Sequence, residues 1–501
     1  MNVANLLRLA ARSFPQRPAI TWRGTTLTYE VFDRRSAAFA GYLGGLDAAG
    51  GGRVVLFLDN RPELLITMFG AFRAGATIVP CNSRLTAEEL EFLIADGEVK
   101  VVVTDAAHEA VAREAANATG AVVLVAGADL DPILAAEPAT LELAEVAGDD
   151  TAWIFYTSGT TGRPKGAMLS HSVLNFVTVS WLADLTPLDE TDVTLHAAPL
   201  SHGAGFHALA ATARAAHQII PDSVSFDPVA ILELIRTAGV TNTWLVPTQI
   251  VMLTEAAPAE VELPSLQHVV YGGAPMTPAA MTRALDRFGP IFVQLYGQGE
   301  TPMTATVLRR QDHVPELLGS AGRPRPGIEV RIAGPDGQTL PDGEIGELVV
   351  RGLSVMTGYW NRPEATAETI VGGWLHTGDL GRMTADGVVF LLDRAKDMII
   401  SGGSNVYAVE VEQVLTTHPM VGEVAVIGIP DDLWGELVVA VVVPAAGVEF
   451  DQAAVDAHSR QTLAGYKVPR RYVAVESLPR NAYGKVLKRE LRQTMADPKP
   501  G

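Results

Sequence analysis

YTSGTTGRPKGA, running from Tyr156 to Ala167, packs three glycines, four Ser/Thr hydroxyls and one lysine into a stretch with no apolar periodicity. A core element needs apolar spacing, so this composition has another cause. Gly159, Gly162 and Gly166 let the backbone take positive φ and turn its amides toward an anion, while Thr157, Ser158, Thr160, Thr161 and Lys165 add donors and charge. The pattern predicts a phosphate cradle. It is not the Walker loop, because five residues on from Gly159 stands Pro164, where that motif requires glycine. AWIFY (Ala152–Tyr156) reads as a buried strand feeding the loop, and MLSHSVLNFV (Met168–Val177) reads as the start of a helix. Strand, glycine loop and helix is an order that favours phosphate binding. An ordinary solvent turn competes as a reading of glycine and threonine alone; the density of hydroxyls and the lysine argue against it.

Working outward, RVVLFL (Arg53–Leu58), TIVPC (Thr77–Cys81) and VKVVVT (Val99–Thr104) alternate with the helix-like LLITMFGAFRAG (Leu64–Gly75) and TAEELEFLIADG (Thr86–Gly97). This is the βαβ rhythm of a parallel sheet. A second alternation runs from Thr191 to Leu308, with strands at TNTWLV, QHVVYGG and IFVQLYG. Within it, SFDPVAILELIRTAG predicts a helix capped by Asp227, with Pro228 in its first turn and Gly239 past its end; capping explains Asp227 better than amino-acid binding does. From Gly319 to Leu392 short strands and turn signals predict a small β-barrel or sheet. After Arg394 the pattern returns to mixed α/β, with VEVEQVLTTHP as a helix and EVAVIGIPD and VVAVVVP as strands. The fold class is therefore α/β: a large N-terminal domain (1–392) of two parallel-sheet subdomains plus a small β-barrel, a hinge (393–396), and a small C-terminal α+β domain (397–501).

The chain has 501 residues, 48% of them hydrophobic, enough for several cores. Lys plus Arg total 38 against 57 Asp plus Glu, and the net charge of −19 argues against nucleic acid or an anionic membrane surface as partner. One cysteine, Cys81, excludes an internal disulfide and a cysteine metal cluster; it reads as a buried small residue in a cytoplasmic protein. The opening MNVANLLRLAARSFPQRP predicts a surface helix rather than a signal peptide, and no apolar run reaches the ~18 residues of a membrane span.

Further segments follow in order: PLSHGAGFH (Pro199–His207), YGGAP (Tyr271–Pro275), LYGQGETPMT (Leu295–Thr304), WLHTGDLG (Trp374–Gly381), LLDRAKDMIISGGSNVYAVEVE (Leu391–Glu412) and RNAYGKVLKREL (Arg480–Leu491). The glycines of YGGAP end a strand where a flat ligand could meet bare backbone, though a tight turn alone would also use them. With TSGTTGRPKG, these segments resemble the adenylate-forming superfamily of acyl-CoA synthetases, peptide-synthetase adenylation domains and firefly luciferases, most of all the acyl-CoA synthetases. The resemblance spans nearly the whole chain.

What it implies is specific. The loop residues Thr157, Ser158, Gly159, Thr160, Thr161, Gly162 and Lys165 bind the ATP phosphates. Gly273, Ala274 and Pro275 lie along one face of adenine and Tyr296 covers the other, with Gly297 beside it. Glu300 ligates Mg²⁺, Asp379 takes the ribose hydroxyls and Arg394 pairs with ribose or phosphate. Lys396 is the swivel of a mobile C-terminal domain, Gly402 and Gly403 line the pantetheine path of coenzyme A, and Lys485 is the catalytic lysine. Thr157, Glu300 and His202 share the catalytic role. His202, His207, Trp244, Val246, Gly272, Gly273, Gly297 and Met303 line the acid, with Phe206 as a further apolar wall. Asp397, Lys488 and Arg489 read as solvated charges. The family YGxTE carries threonine where this chain has Gly299; Thr301 either takes over that phosphate contact or only extends the loop.

The implied reaction is activation of a small-molecule carboxylic acid by ATP, then thioester formation with coenzyme A, as in fatty or aromatic acid metabolism. Two alternatives stay open: loading of a carrier protein, and adenylation of another oxyanion such as nitrite. A homodimer is compatible with this reading. None of the segments around the acid carries Lys or Arg, and Glu300 is their sole carboxylate, so an uncharged monocarboxylic acid of aromatic or medium aliphatic type is expected.

Overall fold

The computed structural model of the chain describes residues 1–46, 48–157, 163–394, 397–401, 404–431, 433–480 and 486–496. Among these residues the chain forms four sheets. In a seven-stranded sheet, Arg53–Phe57, Thr77–Pro80, Val101–Thr104 and Val122–Val125 run parallel, and Thr77–Pro80 passes the sheet on to Thr151–Thr157. Val54, Leu56, Ile78, Val101 and Val103 enter one hydrophobic core, while Val55, Phe57, Val79 and Val102 enter another. Both faces are covered, which is why these strands read as continuous apolar runs rather than as alternating ones. Cys81 sits in the second of these cores at 2% exposure.

A nine-stranded sheet repeats the design. Its parallel centre holds Val193–Leu195, Asn242–Leu245, His268–Tyr271 and Phe292–Gln298, with Thr301–Leu308 antiparallel beside the last. Trp244, Val270 and Leu295 face the first core; Leu245, Val269 and Phe292 face a third. The helix Pro228–Ala238 is capped as its sequence predicts: the Asp227 carboxylate accepts from Val229 N and Ala230 N, and Gly239 closes it at φ 65°. Capping of this kind is worth about 0.5–2 kcal/mol.

Residues 328–394 fold as a five-stranded antiparallel sheet, the sheet alternative to the expected barrel. Beyond Arg394 a further five-stranded sheet, built on the long pair Val421–Asp431 and Gly435–Pro444, carries helices Ala408–Leu415, Gln452–Thr462 and Lys488–Ala496. It has its own core of Ile399, Val406, Val411, Leu415, Val426, Val438 and Val455. No helix among the described residues is long and apolar enough to cross a membrane.

Two expectations are corrected here. The glycine loop does not lead into a helix: Lys165–Ser170 is a strand, paired antiparallel with Thr151–Thr157, and the helix begins only at His171 with Ser170 as its cap. The loop therefore joins two antiparallel strands in sequence, and the helix N-terminus at His171 follows the second of them. The second correction concerns charges. Lys488 is largely buried with its Nζ 2.8 Å from Glu412, and Asp397 pairs with Arg492 at 2.9 Å, one turn further along the same helix.

Candidate active site

The hairpin Phe292–Gln298 and Thr301–Leu308 carries side chains to three neighbouring groups of residues. Toward the C-terminal strands, Tyr296 Oη donates to Asp379 Oδ2 at 2.6 Å and Gln298 Nε2 donates to the same oxygen at 2.7 Å. Arg394 Nε lies 3.0 Å from Asp379 Oδ1. Antiparallel pairing sets Asp379 directly opposite Arg394, so both side chains leave the same face of the sheet. Gly378 at φ 67° and the Thr377 hydroxyl, which accepts from Asp379 N at 3.1 Å, fix the turn of the strand. A carboxylate offers about four lone-pair sites, and three are engaged here. Burial first, and the Asp379 charge second, push the Tyr296 phenol well above its ordinary range, so it acts as a neutral donor.

At the tip, Glu300 is 9% exposed and its Oε1 accepts from the Thr157 hydroxyl at 3.1 Å and from Tyr359 Oη at 2.7 Å. Met356 N donates to the Glu300 carbonyl at 2.8 Å and anchors the backbone. Lys165 Nζ stands 5.2 Å from the centre of the Tyr359 ring. Tyr359 lies on the short strand Gly358–Tyr359, which pairs with Met168 and Ala167 and so joins the edge of the sheet that bears Thr157. Its pKa is raised by burial and then by the Glu300 charge.

On the third side, Met303 and Trp244 close over Gly203, next to His202. A Cβ added at Gly203 would meet Met303 Cε and Trp244 Cζ2, each at 2.5 Å. His202 Nδ1 lies 3.2 Å from Ser201 Oγ, and its ring stands edge-on to Phe155 at 5.1 Å. Burial pulls His202 down to about 3, so a neutral imidazole faces this space. Val246 is half-buried nearby in sequence to Trp244. Gly272 is buried under Leu295, while Gly273, at φ 83°, Ala274 and Pro275 are exposed as a short open ledge after the strand His268–Tyr271.

The structure thus brings Thr157, Tyr296, Glu300, Asp379 and Arg394 to one hairpin, and Met303, Trp244 and His202 beside it. It does not bring Thr301: this residue is 0% exposed and its hydroxyl lies 2.7 Å from Ser354 Oγ, facing the interior. Nor does it bring His207, which is 0% exposed and stacks on Trp181 at 5.0 Å, with burial pulling it to about 3. Phe206 stacks on Trp153 at 4.6 Å in the core. Ser158, Gly159, Thr160, Thr161, Gly162, Lys396, Gly402, Gly403 and Lys485 lie outside the described residues. The sequence reading missed Gln298, Tyr359 and Phe155. Gln298 lay within a segment already singled out; Tyr359 reaches Glu300 from 59 residues away and has no local signature.

Two family models match the chain, that of the AMP-binding enzyme over residues 7–360 and that of the AMP-binding enzyme C-terminal domain over residues 410–485. A feruloyl-CoA synthase of Amycolatopsis sp is 42% identical over 490 residues, which is 96% of this chain and 97% of that protein. ATP-bound MatB from Rhodopseudomonas palustris has a TM-score of 0.90 at 34% identity, covering 99% of both chains. The amide bond synthetase McbA from Marinactinospora thermotolerans has a TM-score of 0.90 at 32% identity, covering 99% of this chain and 100% of that one.

Proposed function

The chain belongs to the family of AMP-binding enzymes, and we infer that it is an AMP-forming acid–thiol ligase acting on an uncharged monocarboxylic acid. The observation that carries this reading is the single hairpin that presents Tyr296 and Gln298 to Asp379 and Glu300 to Thr157 and Tyr359. A nucleotide's ribose and its phosphates need two such groups, held a fixed distance apart by one rigid element.

In the first half-reaction a carboxylate oxygen of the acid attacks the α-phosphorus of ATP, the bond to the β-phosphate oxygen breaks, and pyrophosphate leaves. Asp379 has one lone-pair site open for a ribose hydroxyl while Arg394 remains in place. Thr157, Lys165 and the loop donors around them stabilise charge on the phosphates. Among the described residues, Thr157 and Tyr359 both donate to Glu300 Oε1, and Oε2 is the oxygen offered to a hard divalent cation. Magnesium held there would neutralise charge on the departing pyrophosphate. His202, neutral at working pH, orients the acid by hydrogen bonding and not by charge. In the second half-reaction the thiolate of coenzyme A attacks the acyl carbon and AMP leaves. Lys485 serves the first step, and rotation of the C-terminal part about Lys396 exchanges it for the Gly402–Gly403 face.

Trp244 and Met303 supply apolar walls, and Arg325, whose guanidinium reaches the Met303 carbonyl, is neutralised by Asp184. A second carboxylate on the acid would lack a partner. The feruloyl-CoA synthase relative supports an aromatic acid as the first to try. Incubation with ATP, Mg²⁺ and benzoate, ferulate, octanoate or malonate, with and without coenzyme A, tests the reading. Acid-dependent pyrophosphate release with thioester only when coenzyme A is present supports it; pyrophosphate without thioester, or a preference for malonate, overturns it in part. Lys485→Ala should abolish adenylation while sparing thioester formation from supplied acyl adenylate.

A further inference from the structure

Arg325 keeps its side chain at 0% exposure. Its Nε and Nη2 lie 3.1 and 2.7 Å from Asp184 Oδ1, and Asp184 ends the helix His171–Asp184. Burial draws the guanidinium pKa down and the Asp184 charge draws it back, so the two groups enter the interior as a neutral unit. An ion pair needed only for packing would stop there. Arg325 has a third arm: Nη1 donates to the Met303 carbonyl at 3.0 Å.

Met303 has φ 56°, in the left-handed region that long side chains seldom occupy unless the surroundings impose it. Its backbone fills the space under Gly297, where an added Cβ would stand 2.7 Å from Met303 N and 2.8 Å from Met303 Cα. Its side chain meets Trp244 over Gly203. One backbone posture therefore sets both the floor of the Tyr296–Gly297 turn and the wall beside His202.

We propose that the Arg325–Asp184 pair is a positioning device for acid selectivity: by holding the Met303 carbonyl it imposes the left-handed turn that keeps Met303 and Trp244 together as the end wall of the acid site. The inference rests on the adenylation reading above. Arg325 touches neither substrate; it acts through Met303. Because the pair is buried and already satisfied, it sets the wall before any ligand arrives, and the acid meets a preformed surface.

The test compares the wild-type enzyme with Arg325→Met and Met303→Gly across benzoate, ferulate, hexanoate and octanoate, reading KM for the acid, KM for ATP and kcat from pyrophosphate release. Arg325→Met should raise KM for the best acid by about tenfold and flatten the preference among acids, with a smaller rise in KM for ATP because the Tyr296–Gly297 turn rests on the same backbone. Met303→Gly, which takes positive φ without strain, should flatten the preference equally, and adding Arg325→Met to it should change little further. A variant that loses thermal stability but keeps the wild-type acid preference overturns the proposal. Should Arg325→Met fail to fold, an unchanged acid preference in Met303→Gly overturns it alone. A wild-type enzyme with no acid-dependent pyrophosphate release removes the adenylation reading and the proposal with it.

Discussion

Gly299 and Phe155 approach each other so closely that no side chain fits between them: a Cβ added at Gly299 would lie 2.7 Å from Phe155 Cδ1 and 2.4 Å from Thr157 Cγ2. At this position, where the resembling family carries threonine, any side chain would clash with both neighbours. The Thr157 hydroxyl is turned to Glu300, which turns its methyl to Gly299, and the Phe155 ring occupies the rest of the volume. Gly299→Ala should therefore cost about 1–3 kcal/mol by overpacking. Phe155→Leu combined with Thr157→Ser should recover most of that loss in urea unfolding, because the two nearest groups are then smaller. A Gly299→Ala protein as stable as wild type would show that the gap opens in solution.

Thr301 is expected to be silent toward the nucleotide. Its hydroxyl meets Ser354, and Ser354 Oγ also donates to the Thr304 carbonyl at 3.3 Å, so removing one partner leaves the other still bonded. Thr301→Val should lower stability by about 1 kcal/mol and leave KM for ATP unchanged. A rise of about tenfold in that KM would return Thr301 to the phosphate.

Tyr359 should matter to the metal step. It provides the shorter of two hydrogen bonds to Glu300 Oε1. A hydrogen bond to a charged group is worth about 1.5–3 kcal/mol, so Tyr359→Phe should slow adenylation by about tenfold or more. A Mg²⁺ titration should show a raised half-saturation concentration and partial recovery at high Mg²⁺. Equal loss at every Mg²⁺ concentration would place Tyr359 in packing alone.

Acid should unfold this protein through its desolvated imidazoles. His202 and His207 are pulled down to about 3 and His196 to about 4, all chiefly by desolvation. Each stays neutral when folded but takes a proton when unfolded below its ordinary value of about 6.5. The stability they contribute is complete above about pH 6.5 and is lost as pH falls toward 3, at up to about 1.4 kcal/mol per pH unit per group. Unfolding free energies at pH 7.5 and 5.5 should thus differ by about 3–4 kcal/mol. A flat dependence would mean that these histidines ionise freely in the folded state.

Local signals were legible in the sequence and distant partners were not. Asp227 announced its helix because capping is settled within three residues. Glu300 and Asp379 stood in distinctive short segments. Met168 reads as a helix start, yet Met168–Ser170 complete the strand Lys165–Ser170, which only pairing with Thr151–Thr157 reveals, although Ser170 marks the true helix start. Lys488 read as a solvent charge because its partner Glu412 comes from another part of the chain. Arg325 gave no sign of burial, since its neutralising carboxylate is 141 residues away. Charge type and spacing report chemistry along the chain; pairing across the fold requires coordinates.

Asp393 and Arg394 are neighbours on one strand, and the alternation of a strand sends them opposite ways. Arg394 meets Asp379; the Asp393 carboxylate accepts from Ala408 N at 2.7 Å and lies in the field of Lys488. Two consecutive residues therefore fasten the chain to the nucleotide cluster on one side and to the C-terminal sheet's first helix on the other. In the proposed reaction a ribose hydroxyl joins Asp379 with Arg394 in place, so nucleotide binding and the orientation of the C-terminal part, seated through Asp393 on the same strand, would be linked. By thermodynamic reciprocity, whatever fixes that orientation must alter the affinity for the nucleotide by the same factor.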